Sequence, residues 1–140
     1  MTGAPLLEVA GLSKVFASGR ATVRAVDGVD LDCRAGEILL VMGPSGSGKT
    51  TLMHLLGLLH SPDTGNGPKP ELRFDGTDVT RLPESARTRI RARSMGFVFQ
   101  SFNLVPTLTA IENVALAADY AGITGATARR TSADALELVG

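Results

Sequence analysis

Residues 38–51, which read ILLVMGPSGSGKTT, decide the fold of this 140-residue chain. The stretch begins with Ile38–Met42, a continuous aliphatic run of the kind that forms a strand in the middle of a sheet, covered on both faces. Residues Gly43–Thr50 follow and match the pattern G-x-x-x-x-G-K-[ST] in full. Beyond them, four leucines recur at the spacing of one helical face: Leu52, Leu55, Leu56 and Leu59. The sequence therefore predicts a buried strand, a glycine-rich loop and an amphipathic helix in direct succession.

The predicted loop has the composition of a phosphate-binding site, or P-loop. Its glycines allow the backbone to curl so that successive N–H groups point inward, and the following helix adds the partial positive charge of its N-terminus. In such a loop Lys49 reaches the β- and γ-phosphates of a nucleotide, and the hydroxyl of Thr50 ligates Mg²⁺. The alternative is a strand-to-helix turn with an incidental lysine. We predict a nucleoside triphosphate and Mg²⁺ as ligands, a pair that kinases, GTPases and both motor and transport ATPases share. The predicted binding residues are Gly43, Pro44, Ser45, Gly46, Ser47, Gly48, Lys49, Thr50 and Thr51.

The composition indicates one compact domain. The chain is 44% hydrophobic and 20% charged, which excludes a disordered chain. Fourteen basic and fourteen acidic residues give no net charge, so nothing favours nucleic acid as a partner. The longest apolar run, Ile38–Met42, is too short to span a membrane, and the first residues do not resemble a signal peptide. With Cys33 as the single cysteine, these features favour the cytoplasm.

The residues ahead of the loop predict strands. Short β-like runs and one period-2 alternation place them over Leu6–Val9, Leu12–Phe16, Ala21–Val26 and Val29–Cys33.

The residues after the loop predict a mixture of strands and helices. We expect a loop over 65–70, a strand over Glu71–Phe74 and a second buried strand over Met95–Phe99. Helices are predicted over Pro83–Arg93, after a capping box formed by Thr109 and Glu112, and from about Thr127 to Val139. The basic residues of the first of these helices indicate a solvated face, with contact to a membrane protein or anionic lipid as the alternative: Arg87, Arg89, Arg91 and Arg93.

Four segments together resemble the ATP-binding subunits of ABC transporters. They are LSKVF (12–16), AVDGVDLDCRAGE (25–37), GPSGSGKTTLMHLLGLL (43–59) and GFVFQSFNLVPTLTAIENV (96–114). The resemblance is strongest to the bacterial subgroup that serves lipoprotein-release, macrolide-export and cell-division type permeases. It implies an α/β P-loop NTPase fold of the ABC type, with an N-terminal antiparallel β part, a P-loop core and a helical subdomain that starts at 101. Residues 1–140 would then be the N-terminal portion of a single nucleotide-binding domain.

The resemblance also assigns roles to two residues outside the loop. Phe16 lies where the family has an aromatic side chain that stacks on adenine, and such stacking is worth ~1–3 kcal/mol; a core position is the alternative. Gln100 matches the family's Q-loop glutamine, which contacts Mg²⁺ and the attacking water, so it is the predicted catalytic residue. Its alternative is a polar residue that ends a strand.

Partners follow from the same resemblance. The apolar residues after Gln100 match a groove that receives a short helix of the permease, with local core packing as the alternative: Phe102, Leu104, Val105 and Leu108. The family also implies a dimer with a second ATP-binding subunit. The expected location is the cytoplasmic side of the membrane, through the permease, and the expected process is export.

Three elements that this family uses for hydrolysis do not occur in the sequence. It has no aliphatic run that ends in Asp followed by Glu and no LSGGQ segment, and His54 and His60 are too close to the loop to be the family's late switch histidine. We therefore expect the chain to stop before the signature helix, to bind MgATP weakly and not to hydrolyse it alone. Strands that flank Ile38–Met42 in the family would also be missing, which predicts an exposed apolar sheet edge. The alternatives are a non-hydrolysing nucleotide-binding module or, less favoured, a small P-loop kinase.

Overall fold

The computed structural model describes residues 4–19, 21–64 and 69–140. The chain forms two compact units, Met1–Thr88 and Arg89–Gly140. The loop predicted over 65–70 falls mainly on residues 65–68, which lie outside the described residues.

The first unit contains an antiparallel four-stranded sheet. Its strands are β1 (Leu7–Ser18), β2 (Ala21–Cys33), β3 (Glu71–Phe74) and β4 (Thr77–Asp78), in the order β2-β1-β3-β4. The prediction of four short strands ahead of the loop is wrong, because these runs join into the two long strands β1 and β2. The register between β1 and β2 shifts at several points between residues 9 and 15 of β1, and the two strands remain paired before and after these irregularities.

Two side-chain hydrogen bonds stabilise that irregular part of the β1–β2 pair. The Gly11 N–H donates to Asp30 Oδ1 at 2.6 Å, and the Gly28 N–H donates to Ser13 Oγ at 2.9 Å. Backbone donors that the register shifts leave without a partner strand are thus satisfied by polar side chains of the opposite strand.

Four helices complete the described structure: α1 (Lys49–Leu56), α2 (Glu84–Ser94), α3 (Ala110–Tyr120) and α4 (Gly125–Val139). Helix α1 ends at Leu56 with Gly57 as its C-cap residue, earlier than the leucine spacing predicts. Leu58 follows with a φ of 57°, the left-handed conformation that commonly closes a helix, and its side chain is buried. The leucine pattern therefore marks the buried face correctly but overstates the length of the helix.

The core of the first unit lies between the sheet and α1. Fully burying a leucine or valine contributes roughly 1.5–3 kcal/mol, so a small set of side chains supplies most of the hydrophobic stabilisation. The buried set consists of Val9, Leu12, Val26, Leu52, Leu55, Leu58, Leu72 and Val79.

Two predicted buried strands are not strands. Ile38–Met42 and Met95–Phe99 carry no strand assignment, and no described strand pairs with either segment. Their side chains are largely exposed, with Ile38 at 94% and Val98 at 103% of full exposure. The apolar composition shows which side chains could be buried, but burial also needs a neighbouring strand. The run Ile38–Met42 is exposed as expected, but the expectation that it forms the edge of a sheet is wrong, because it is not a strand.

The second unit begins its helical part as predicted. Thr109 caps α3 in a capping box: its N–H donates to Glu112 Oε2 at 2.8 Å, and its hydroxyl accepts from the Glu112 N–H. Helix α4 packs on α3 through small residues, with Ala128 and Ser132 buried. None of the helices in the described part of the chain is long and apolar enough to cross a lipid bilayer.

Candidate functional site

The glycine-rich loop adopts a curled backbone that depends on two of its glycines. Gly46 has a φ of 78° and Gly48 a φ of 89°, in the left-handed region that side chains disfavour. A Cβ on Gly46 would meet nothing within 4 Å, whereas a Cβ on Gly48 would lie 1.9 Å from the carbonyl oxygen of Ala25 in β2. Gly48 is therefore required both for its conformation and for the close approach of α1 to β2.

The N-terminus of α1 presents backbone donors at this loop. Gly48 is the N-cap residue, so no side chain caps the helix, and its first turn carries no acidic residue. The first N–H groups of a helix have no partner within the helix, and together they carry a partial positive charge. An anion held by the loop would satisfy these donors.

Lys49 directs its charge into the curve of the loop. Its Nζ donates to the carbonyl oxygens of Gly43 at 2.8 Å and Pro44 at 2.6 Å, and lies 3.5 Å from Ser47 Oγ. The ammonium group thus lies among loop backbone atoms instead of extending into solvent. The fixed cation and the helix N-terminus together favour the binding of a polyanion such as a nucleoside triphosphate.

A cavity of about 440 Å³ lies against the loop and β2. The loop contributes Gly43, Ser47 and Lys49 to its wall, and β2 contributes Arg24 and Asp27. These two β2 residues form an exposed ion pair with 2.7 Å between Arg24 Nη1 and Asp27 Oδ1. The cavity wall next to the predicted phosphate site therefore carries the cation of Lys49, the Arg24–Asp27 ion pair and apolar side chains such as Val26 and Leu52.

The loop residues also fit a magnesium-bound nucleotide. Thr50 is exposed and supplies a hydroxyl oxygen, the type of donor that Mg²⁺ prefers, while Thr51 is half-buried behind it. In the described ranges, no cluster of three or more His, Cys, Asp or Glu side chains could hold a metal ion alone. With a nucleotide bound, phosphate oxygens would supply further ligands to a magnesium ion at Thr50.

Phe16 lies near the end of β1 and is 37% exposed, so it is not a core residue. Its ring packs edge-to-face on His60, with 5.8 Å between the ring centroids. Lys14 Nζ lies 5.7 Å from the centroid of the same ring and forms an ion pair with Asp63 at 2.8 Å. Partial burial opposes ionisation of Asp63, but hydrogen bonds from Lys14 and the Val15 N–H outweigh it and lower the pKa of the carboxyl group.

Gln100 lies in the second unit, directly after the extended segment Met95–Phe99, and its side chain is exposed. The rings of Phe97 and Phe99 in that segment stack in parallel with 5.8 Å between their centroids. The loop at 43–51 and Phe16 belong to the first unit. The structure therefore places residues 43–51 in one loop, while their binding of a nucleotide and the joint action of Gln100 with them remain predictions.

Of the apolar residues after Gln100, Phe102, Leu104 and Val105 are exposed, Leu108 is half-buried, and one side chain orders the segment. Phe102 is 91% and Leu104 62% exposed, so local core packing is wrong for these two residues. Asn113 accepts from the Val105 N–H at 2.8 Å, and its Nδ2 lies within 3.2 Å of the carbonyl oxygens of residues 105, 108 and 109. This one amide fixes the loop onto the first turn of α3.

The sequence did not reveal the positioning roles of Lys14, Asp63 and Asn113, and it predicted the wrong environment for Arg87. Arg87, predicted to be solvated, is only 7% exposed, because its guanidinium donates to the Leu58 carbonyl at 2.8 Å and contacts Ser61 Oγ. The Lys14–Asp63 pair joins residues 49 positions apart, so no local pattern reveals it. Asn113 carried a weak signal, since it stands one turn after the cap residue Thr109.

Comparison with known proteins identifies what the chain resembles as a whole. A family model described as ABC transporter matches residues 26–140. The macrolide export ATP-binding/permease protein MacB of Brucella abortus is 47% identical over 133 residues, which are 95% of this chain and 20% of that protein. An uncharacterized ABC transporter ATP-binding protein of Thermotoga maritima is 40% identical over 135 residues, 96% of this chain and 56% of that protein. The chain thus spans a fifth of the first relative and little more than half of the second.

Solved structures agree with the sequence comparison. The ATP-binding cassette MJ0796, in a dimeric post-hydrolysis state bound to ADP and Pi, matches 94% of this chain with a TM-score of 0.81 and 33% identity. This chain covers 56% of that cassette. A second dimeric structure of the same bacterial cassette gives a TM-score of 0.78 at 35% identity. The predicted α/β P-loop fold class is confirmed.

Proposed function

This chain belongs to the ABC transporter family, and we propose that it binds MgATP at residues 43–51 as the ATP-binding component of a membrane exporter. The observation that carries the proposal is the position of Lys49, whose ammonium group lies inside a loop that continues into an uncapped helix N-terminus. A fixed cation and a row of free backbone donors have a polyanion as their natural ligand.

Three sets of residues would bind the phosphates, the magnesium ion and the base of the nucleotide. Backbone N–H groups of the loop and Lys49 would hold the phosphates, Thr50 would supply an oxygen to Mg²⁺, and Phe16 would stack on the base. Bound MgATP supplies the phosphoanhydride bond whose cleavage drives the family's transport cycle. Gln100, as an uncharged amide, can orient water and contact a cation without changing its charge near neutral pH.

Coupling to a permease forms the second part of the proposal. Phe102 and Leu104 are exposed apolar side chains on a loop that Asn113 holds in place. Exposed apolar groups in a fixed arrangement suit the apolar face of a helix from a membrane partner. We infer that this segment docks such a helix at the cytoplasmic face, and that the site acts together with a second copy of the ATP-binding subunit.

Nucleotide binding without hydrolysis is a second candidate for these 140 residues on their own. The sequence contains no aliphatic run ending in Asp and Glu, so it lacks the carboxylate that would act as general base. Binding groups are present at the loop and Gln100 could orient a water molecule, whereas the Asp–Glu pair and the LSGGQ segment that the family uses for hydrolysis do not occur in these 140 residues.

Calorimetric titration with MgATP tests the proposal. Lys49→Ala should weaken binding at least tenfold, because a hydrogen bond to a charged group contributes roughly 1.5–3 kcal/mol. Lys69→Ala removes an exposed lysine of the same unit and is the matched control, with unchanged affinity expected. Equal affinity in the Lys49 variant and its control would show that the loop does not bind nucleotide.

The docking segment is tested in the assembled transporter that contains this chain. Phe102→Asp should reduce transport and leave the affinity of the loop for MgATP unchanged, since Phe102 lies outside the loop. Asn113→Ala should have the same effect to a smaller degree, because it frees the segment without charging it. Normal transport in both variants would exclude this segment as the docking surface.

A further inference from the structure

Phe16 lies in a corner formed by β1 and the segment that follows α1. Its ring makes an edge-to-face pair with His60, with 5.8 Å between centroids and 73° between planes, an arrangement that aromatic quadrupoles favour. Lys14 Nζ lies 5.7 Å from the centroid of the same ring, within the range of a cation–π contact. More than a third of the Phe16 surface is exposed, so a flat base still has access to the ring.

Hydrogen bonds anchor the segment that carries His60 to the strand that carries Phe16. Asp63 accepts from Lys14 Nζ at 2.8 Å and from the Val15 N–H at 2.6 Å, and its own N–H donates to the Ser13 carbonyl at 2.9 Å. Lys14 Nζ also donates to the Ser61 carbonyl at 2.9 Å. These bonds hold residues 61 and 63, which directly follow His60, against β1, and they keep the imidazole in register with the Phe16 ring.

The imidazole of His60 contacts the Phe16 ring in its neutral form. Burial lowers the pKa of His60 below its ordinary value of 6.5, and the nearby charges of His54, Lys14 and Arg87 lower it further. Near neutral pH the His60 side chain therefore behaves as an aromatic ring that packs on Phe16 and adds no second cation beside Lys14.

We propose that His60 is a positioning residue for the nucleotide base, which it serves by holding the ring of Phe16 in the orientation that stacks on that base. This inference rests on the proposed binding of nucleotide at residues 43–51. A half-exposed aromatic side chain loses rotamer freedom when a ligand stacks on it, and this loss weakens binding. Because His60 already restricts the ring, much of that loss occurs when the protein folds.

Two ligands that share a phosphate chain separate this role from phosphate binding. MgATP carries the base and ribose, whereas magnesium tripolyphosphate carries only the phosphates. His60→Ala should weaken MgATP about two- to tenfold, the range for one aromatic pair, and leave tripolyphosphate unchanged. His60→Phe keeps an aromatic edge against Phe16 and should restore the affinity for MgATP. Met53→Ala removes an exposed side chain of α1 and should change both affinities by less than about twofold.

If His60→Ala weakened the affinity for both ligands equally, or for neither, the positioning role of His60 would be overturned. Failure of His60→Phe to restore binding of MgATP would also count against it. The proposed function is tested separately by Lys49→Ala, which should remove binding of both ligands. If Lys49→Ala does so while Phe16→Ala leaves MgATP affinity unchanged, the base contact fails and the phosphate site stands.

Discussion

Replacing Gly48 with alanine gives the sharpest test of the loop geometry. The new Cβ would lie 1.9 Å from the carbonyl oxygen of Ala25, whereas ordinary contact begins near 3.4 Å. Helix α1 or strand β2 would therefore have to move by about 1.5 Å. The left-handed conformation costs ~1–2 kcal/mol for a residue with a Cβ, and forced repacking costs a further ~1–3 kcal/mol. We expect Gly48→Ala to lower the free energy of unfolding by ~2–5 kcal/mol.

Gly46→Ala is the matched control for this substitution. Gly46 has a similar positive φ of 78°, but a Cβ there would meet nothing within 4 Å. Its expected cost is the conformational part alone, ~1–2 kcal/mol. Both variants lose the same glycine entropy in the unfolded chain, so the difference between them isolates the contact with Ala25.

Urea denaturation followed by far-ultraviolet circular dichroism measures both variants. We expect a clearly lower urea midpoint for Gly48→Ala than for Gly46→Ala, with similar slopes. The same order should appear in MgATP affinity, because only the Gly48 variant displaces the start of α1. Equal loss of stability in the two variants would refute the close approach of α1 to β2.

Two further predictions concern the second unit. Ser132 Oγ is buried without a hydrogen-bond partner among the described residues, so Ser132→Ala should raise the free energy of unfolding by ~1 kcal/mol. The increase should be larger than for Thr131→Ala, the control on the exposed face of the same helix. An equal gain in both variants would assign the effect to helix propensity alone. Glu112 has a pKa below its ordinary value of 4.5, first because the Thr109 N–H donates to it, so its contribution to the α3 cap is complete above pH 4.5 and is lost as the pH falls through the lowered pKa. The amide resonance of Thr109 should titrate below pH 4.5 and stop doing so in Glu112→Gln, and a titration that persists in that variant would contradict the assignment.

Local features of the structure could be predicted from the sequence. The loop at 43–51 depends on glycines and a lysine whose spacing is visible in the chain itself. The capping box of α3 joins Thr109 to Glu112, three positions apart, and a pairing at such short range follows from the sequence alone.

Features that depend on distant residues could not be predicted. The arginine run of α2 has the pattern of a solvated helix, yet Arg87 is buried because the Leu58 carbonyl, 29 positions earlier, accepts its hydrogen bonds. Strand β1 continues through its irregular part because Asp30 satisfies the Gly11 N–H from the opposite strand. The aliphatic run Ile38–Met42 shows the same limit, since apolar composition does not reveal whether a neighbouring strand covers it.

A nuclear magnetic resonance titration of the isotope-labelled chain with MgATP would show directly whether residues 43–51 bind the nucleotide. If the loop binds the phosphates through its backbone, the amide resonances of residues 43–51 should shift first and by the largest amounts. Those of α4 should stay unchanged, and Lys49→Ala should abolish the response. Shifts confined to residues outside the loop, or an unchanged response in Lys49→Ala, would contradict the assignment of this loop as the nucleotide site.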